Sequence, residues 1–101
     1  MPTAYITAPR KAASDLAEFL VEEKLAACVN VVDCDSYYRW EGDVHAGSEE
    51  SILFAKTTKA RYPELKAAVE DEHPFDVPCI ELFDEIDVLN SYGDWIDEEV
   101  Q

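Results

Sequence analysis

The 101-residue chain is 48% hydrophobic and carries 23 acidic against 8 basic residues, a net charge of -15 with histidine neutral. That is one domain (1–101), with ample apolar content for a core, burying roughly 60–70% of its unfolded surface. So acidic a chain repels phosphate backbones and anionic lipid, which argues against nucleic acid and membrane as partners. The acids are spread along the whole sequence, and at about 1 M salt, where the Debye length is only ~3 Å, their repulsion is screened; the composition fits a halophilic, high-salt cytoplasm.

In chain order, Thr3 to Ala8 has strand character and stops at Pro9, and Arg10 to Ser14 reads as a loop. Ser14 or Asp15 is placed to cap a helix. Ala13, Leu16, Ala17, Leu20, Val21 and Leu25 then form a stripe at helical spacing that fades near Ala26, with Phe19 off the stripe. Cys28 to Trp40 is a strand far longer than the usual 5–6 residues or so, which predicts a bulge or an overhang onto another subunit. Glu41-Gly42-Asp43 reads as a turn and Val44 to Ser48 as a loose connection.

Next comes Glu49 to Thr58, in which Ile52-Leu53-Phe54-Ala55 is apolar at consecutive positions. Alternation sends Ile52 and Phe54 to one face and Leu53 and Ala55 to the other, so both faces of this strand are buried. A helix follows with Pro63 in its first turn, a stripe of Tyr62, Leu65, Ala68 and Val69, and an end at Pro74. Cys79 to Phe83 is the last strand, and Ser91-Tyr92-Gly93-Asp94 resembles a capped start to a short C-terminal helix carrying Trp95 and Ile96.

This order predicts an α+β, ferredoxin-like split βαβ sandwich: a four-stranded antiparallel sheet with two main helices on one face. The other face is left open and is expected to carry Tyr5, Val29, Val31, Leu53 and Ala55. A patch that large is more than a soluble monomer normally exposes, so a closed oligomer is expected. Its long second strand would reach into a neighbour with Tyr37, Tyr38 and Trp40.

The start, Met1-Pro2-Thr3-Ala4, lacks the basic region of a signal peptide, and no apolar run approaches ~18 residues. The three cysteines include no Cys-x-x-Cys. Free thiols in a reducing cytoplasm are therefore expected.

Four segments together resemble the CutA family of divalent-cation tolerance proteins: Glu23-Lys24-Leu25-Ala26-Ala27-Cys28-Val29-Asn30, Tyr38-Arg39-Trp40-Glu41-Gly42, Lys56-Thr57, and His73-Pro74-Phe75-Asp76-Val77-Pro78. Their order and spacing span nearly the whole chain. The resemblance implies a ferredoxin-like protomer in a compact homotrimer similar to PII-type signalling proteins. It also implies a cytoplasmic role in tolerance of copper and other divalent cations, and no enzymatic activity.

Thiolate and imidazole suit copper and zinc, which draws attention to Cys28, Cys34, Cys79, His45 and His73. Within one chain the cysteines are too far apart to share an ion: Cys28 and Cys34 are about 20 Å apart along one strand, and the second and fourth strands are roughly 14 Å apart across the sheet. A tight site for Cu(II) or another divalent cation therefore needs ligands from two or three subunits, with His73, Cys28 and Asp76 as candidates. Lys56 ends the most apolar strand; it either pairs with an acid across the sheet or lines a cleft for an anionic small molecule.

These features support a metal-binding, metal-response trimer. The alternatives are a small-molecule-sensing module of the PII kind, with Lys56 and His73 lining an inter-subunit cleft, and a structural trimer whose aromatic tip docks another protein. No Ser-His-Asp or Cys-His pairing and no phosphate-cradling glycine loop argue for catalysis, and no organic cofactor is expected.

Overall fold

The computed structural model describes residues 1–100. Its elements are β1 (Pro2–Pro9), α1 (Arg10–Glu22), β2 (Cys28–Trp40), β3 (Asp43–Lys56), α2 (Tyr62–Glu72), β4 (Cys79–Asp84) and α3 (Asn90–Glu99). The strands form one antiparallel sheet in the order β2-β3-β1-β4. This is the split βαβ arrangement expected from the order of elements.

Helix α1 starts five or six residues earlier than a cap at Ser14 or Asp15 suggested. Pro9 occupies the N-cap with φ -53 and ψ 138, no side chain caps the helix, and Arg10 begins the first turn. Ser14 and Asp15 are exposed positions within it. The run Lys11-Ala12-Ala13 favours helix, and Ala13 is buried against the sheet. The other end closes as a Schellman motif: Leu25 N–H donates to Leu20 O (3.0 Å) and Lys24 N–H to Val21 O (3.1 Å). Lys24 takes the left-handed φ of 57 that glycine usually supplies there, and Leu25 folds back into the core. The helix thus ends before Ala26.

The segment Val44 to Ser48, expected as a loose connection, belongs to β3. The β2–β3 hairpin pairs out to Trp40↔Asp43, and Glu41 and Gly42, with φ 51 and 85, form its two-residue turn. Between the pairs Ser36↔Ser48 and Tyr38↔His45 one residue of β2 faces two of β3, a bulge that Gly47 accommodates at φ 74. The glycine and polar residues that read as a loop are the bulge in a strand that continues. Likewise, α3 begins at Asn90 with no side-chain cap, rather than at a capping Ser91.

The core lies between the sheet and helices α1 and α2. Ala4, Ile6, Ala8, Leu53 and Ala55 meet Leu16, Leu20, Leu65 and Val69; the alanines let the helices approach closely. Leu53 and Ala55 therefore face the helices, not the open side. Register places Val29 beside Ala55 and Val31 beside Leu53, so these two share the helix side as well. Phe19, although off the predicted stripe, is partly buried against this core.

The opposite face is aromatic. Tyr5 sits between Phe54, edge-on at 5.7 Å, and Phe83, stacked at 5.3 Å, with Ile52 and Val32 alongside by register. Val32 is 50% exposed and Phe83 47%. α3 covers one end of this face. Tyr92 meets the Cys28 thiol, and Ile96 and Val100 are buried outside the main core.

Candidate functional site

Strand pairing places one polar cluster on the open face, and a second surrounds His73 at the end of α2. At the end under α3, Cys28, Lys56, Thr3 and Phe83 form one cross-strand row. Lys56 Nζ donates to Thr3 Oγ1 at 3.2 Å, and the Thr3 hydroxyl donates to Glu85 Oε1. Lys56 is thus held by a hydroxyl that links it to an acid, an indirect version of the expected cross-sheet pair. Burial raises the Tyr92 hydroxyl pKa, and the neighbouring Cys28 adds to the effect.

The second cluster surrounds His73. The α2 helix ends at this residue because Pro74 follows, and the turn swings its ring under β1. There Nε2–H donates to Thr7 O at 2.7 Å and Nδ1 accepts from Phe75 N–H at 3.1 Å. A carbonyl can only accept and an amide N–H can only donate, so the ring is the neutral Nε2–H tautomer. At 7% exposure, with both nitrogens engaged, the histidine is held by the fold. A metal ion would have to displace the Phe75 N–H to reach it.

Beside Thr7 lies Cys79, whose thiol pKa is raised by burial against an opposing contribution from Thr7. Tyr5 is likewise raised, by burial first and then by Cys79, Cys34, Glu81 and Glu50.

The residues expected to share a metal are not brought together within one chain. Thr7, the partner of His73, stands four positions along β1 from Thr3, in the row of Cys28. That is about 13 Å along the strand and two strand spacings, roughly 10 Å, across it. Asp76 is exposed on the 74–78 loop. Among the described residues no group of three or more His, Cys, Asp or Glu side chains is disposed to hold a metal ion. All three cysteines are free thiols, and register puts Cys28, Cys34 and Cys79 on the same open face.

Tyr38 and Trp40 stand with Phe75 and Asp76 around a hollow of about 280 Å³ between the hairpin and the 74–78 loop. Tyr37 and Tyr38 wall a second one of about 330 Å³, with Glu50 and Cys79. His45 stacks on Tyr38 at 5.0 Å rather than standing free in a loop.

Two features escaped the sequence reading. Glu50 is buried, at 5% exposure; alternation back from Phe54 through Ile52 already places it on the open face. Arg10 reaches from the first turn of α1 to Asp33, Asp35 and Glu49 (3.5, 3.7 and 3.9 Å) and donates to Cys34 O at 3.0 Å. No local pattern could have announced that clamp, because its partners come from two distant strands.

The profile of the CutA1 divalent ion tolerance protein family matches residues 3–99. The divalent-cation tolerance protein CutA of Thermus thermophilus is 42% identical over 95 residues, 92% of this chain and 91% of its own length. Two solved structures superpose closely. One, described as the periplasmic divalent cation tolerance protein CutA from Archaeoglobus fulgidus, has a TM-score of 0.91 and 37% identity with all of both chains covered. The other, described as the PII-like protein CutA from Nostoc, has a TM-score of 0.95 and 28% identity over 100% of this chain and 98% of that one. Fold, motifs and relatives agree: the chain belongs to the CutA family of divalent-cation tolerance proteins.

Proposed function

We propose that this chain acts as a homotrimer in tolerance of, or response to, divalent metal ions, copper among them, by binding metal through ligands drawn from more than one copy. The observation that carries this reading is the open sheet face. It holds an aromatic cluster that no element of the chain fully covers, together with all three thiols. An exposed apolar face of this kind is a protein–protein contact surface. Closing it between copies gathers soft donors that one chain keeps apart. Asp76 is an exposed donor, Cys28 would have to leave its contact with Tyr92 under α3, His73 would give up its bond to Phe75 N–H, and the hairpin tip Tyr37–Trp40 extends the contact to a neighbour. The 45 Å long axis of the molecule, drawn out by that hairpin, supports such a reach.

Light scattering gives the mass of the assembly, and equilibrium dialysis of chelator-stripped protein against copper(II), or redox-inert zinc(II), in about 1 M salt gives the stoichiometry with diffuse surface binding screened. A trimer mass with a whole number of ions per trimer, lost in Cys28→Ser, supports the proposal. A monomer that retains no metal refutes it. We place the protein in the cytoplasm; since the Archaeoglobus relative is described as periplasmic, fractionation of cells expressing the native gene is the direct check. Among the described residues no helix is long and apolar enough to cross a membrane.

The likeness to a protein described as PII-like favours a second reading, in which Lys56 lines an inter-subunit cleft for an anionic small molecule. Protection of Lys56 from amine-directed labelling by such an anion would support it.

A further inference from the structure

Helix α1 and the C-terminal end of α2 flank a hollow of about 240 Å³. Its walls include no residue of β2 or β3, so neither the aromatic sheet face nor the hairpin forms it. The contact proposed between copies therefore does not draw on this groove. Ala12, Leu16 and Phe19, at i, i+4 and i+7 along α1, make one apolar wall, and Ala8 and Pro74 close the other side. Asp15 on α1 and Glu72, the last residue of α2, border it as exposed carboxylates.

The chain brings no cation to these acids. No basic residue lines the hollow, and among the described residues neither Asp15 nor Glu72 forms an ion pair. Lys11, one turn before Asp15, borders a different hollow on the far side of Pro74. Glu18 and Glu22 follow Asp15 at i+3 and i+7, both exposed, so a row of carboxylates runs on along α1. Helix α2 has no base in its last turn, where Glu70, Asp71 and Glu72 add to the partial negative charge of a helix C-terminus.

Size and chemistry together select the occupant. Small-molecule sites occupy about 300–1,000 Å³; this smaller hollow suits one long side chain, its apolar walls fitting a methylene stem and its acids a cationic head. Arginine fits better than lysine, because a guanidinium is more weakly hydrated, stacks on a ring such as Phe19 and pairs with carboxylates through two bonds. We infer that this groove docks a basic segment of another protein, one arginine of which inserts between Asp15 and Glu72 while further basic residues follow Glu18 and Glu22. A chain of net charge -15 also draws such a partner from a distance. The inference is independent of the metal-binding proposal.

The test is fluorescence anisotropy of a fluorescein-labelled peptide, Gly-Lys-Leu-Arg-Leu-Lys-Gly, titrated with the full chain in its native assembly. A second peptide carries citrulline, a neutral isostere, in place of the arginine. Salt is set at the lowest level at which circular dichroism shows the chain fully folded. The expected result is saturable binding of the arginine peptide, with the citrulline peptide at least about tenfold weaker. The double variant Asp15→Asn, Glu72→Gln also weakens binding about tenfold. The control Asp94→Asn, Asp97→Asn removes two exposed charges from α3 instead and changes affinity by less than about twofold, the diffuse field being all that it alters. Ala12→Leu fills the groove without changing charge and weakens the arginine peptide as well. All substituted positions lie outside the buried core, and circular dichroism and light scattering are expected to stay native. Equal affinity for the two peptides, no saturation, equal losses in the two double variants, or native affinity in Ala12→Leu would overturn the inference. Dissociation of the assembly by the Asp15, Glu72 variant would also overturn it, since the groove would then belong to a contact between copies.

Discussion

His73 Nε2 donates to the carbonyl oxygen of Thr7 across 2.7 Å, and the same ring accepts the Phe75 N–H. Through this pair of bonds the end of α2 and the start of the 74–78 loop are tied to the middle of the sheet. Replacing the ring with alanine strands a carbonyl and an amide in a buried setting, each worth about 1–3 kcal/mol when unsatisfied. His73→Ala is therefore expected to lower the unfolding free energy by about 2–4 kcal/mol, with faster hydrogen exchange at Phe75. A stability equal to the native protein would show that the ring is not a structural element.

Adjacent positions of β3 should behave oppositely. Leu53 is fully buried against the helices, so Leu53→Ala should destabilise each protomer by about 2–5 kcal/mol without changing the assembly mass at folding temperatures. Phe54 faces the aromatic side beside Tyr5, so Phe54→Asp should leave far-ultraviolet circular dichroism intact and shift light-scattering mass toward the monomer. The reverse pattern would mean that the two faces are exchanged.

Arg10 holds three carboxylates and two main-chain oxygens at the root of the hairpin. Its guanidinium is partly exposed, so solvent screening keeps the net effect small. Arg10→Ala should cost only about 1 kcal/mol in overall stability, yet it leaves Asp33, Asp35 and Glu49 repelling one another. The predicted signature is local: faster amide exchange across the 33–36 and 48–50 positions and a stronger salt requirement than the native chain. Unchanged exchange there would remove the clamp from the account.

With a net charge of -15, the folded chain repels itself, and screening shortens that repulsion from about 10 Å at 0.1 M salt to ~3 Å at 1 M. Thermal melts in sodium chloride should therefore show Tm rising through this range. A flat or falling Tm would show that the acidic surface is paired well enough to need no screening.

Burial raises the Cys79 thiol above its ordinary pKa. The folded state consequently holds its proton to higher pH than the unfolded state. The thiol's contribution to stability is fully present below the unfolded thiol pKa and is lost as pH rises through the folded value. Mass-resolved alkylation should find Cys79 reacting along a pH curve displaced to the alkaline side of free cysteine. An acid-side displacement would mean that a positive neighbour, not burial, governs the thiol.

Much of this architecture is legible in the sequence because it is written in local periodicity. The helical stripe Leu16–Leu20, the two-sided apolar run Ile52–Ala55 and the proline at 74 each dictate their element with little help from elsewhere. The face carrying Leu53 is not legible in the same way. Alternation says that Leu53 and Phe54 part company, but which one meets the helices depends on the alanines of β1, which admit α1 and α2, against the rings of Tyr5 and Phe83, which stack with one another. Gly47 misled for a related reason, since a bulge and a loop use the same residues and only the partner strand tells them apart. At the candidate sites, the sequence marked His73 and Lys56 as chemically notable, and it also foresaw that the cysteines stand too far apart within a chain. What it could not show is that the His73 nitrogens are occupied, because that depends on contacts between residues far apart in the chain.

If metal is held by ligands from more than one copy, as proposed, retention of the ion must depend on the assembly. Equilibrium dialysis against copper(II) in about 1 M salt, run side by side on the native chain and on folded Phe54→Asp monomer, tests it most directly. The account predicts a whole number of ions per trimer for the native protein and none retained by the monomer. A monomer that retains as much copper as the native protein would contradict it, and so would a native trimer that retains none.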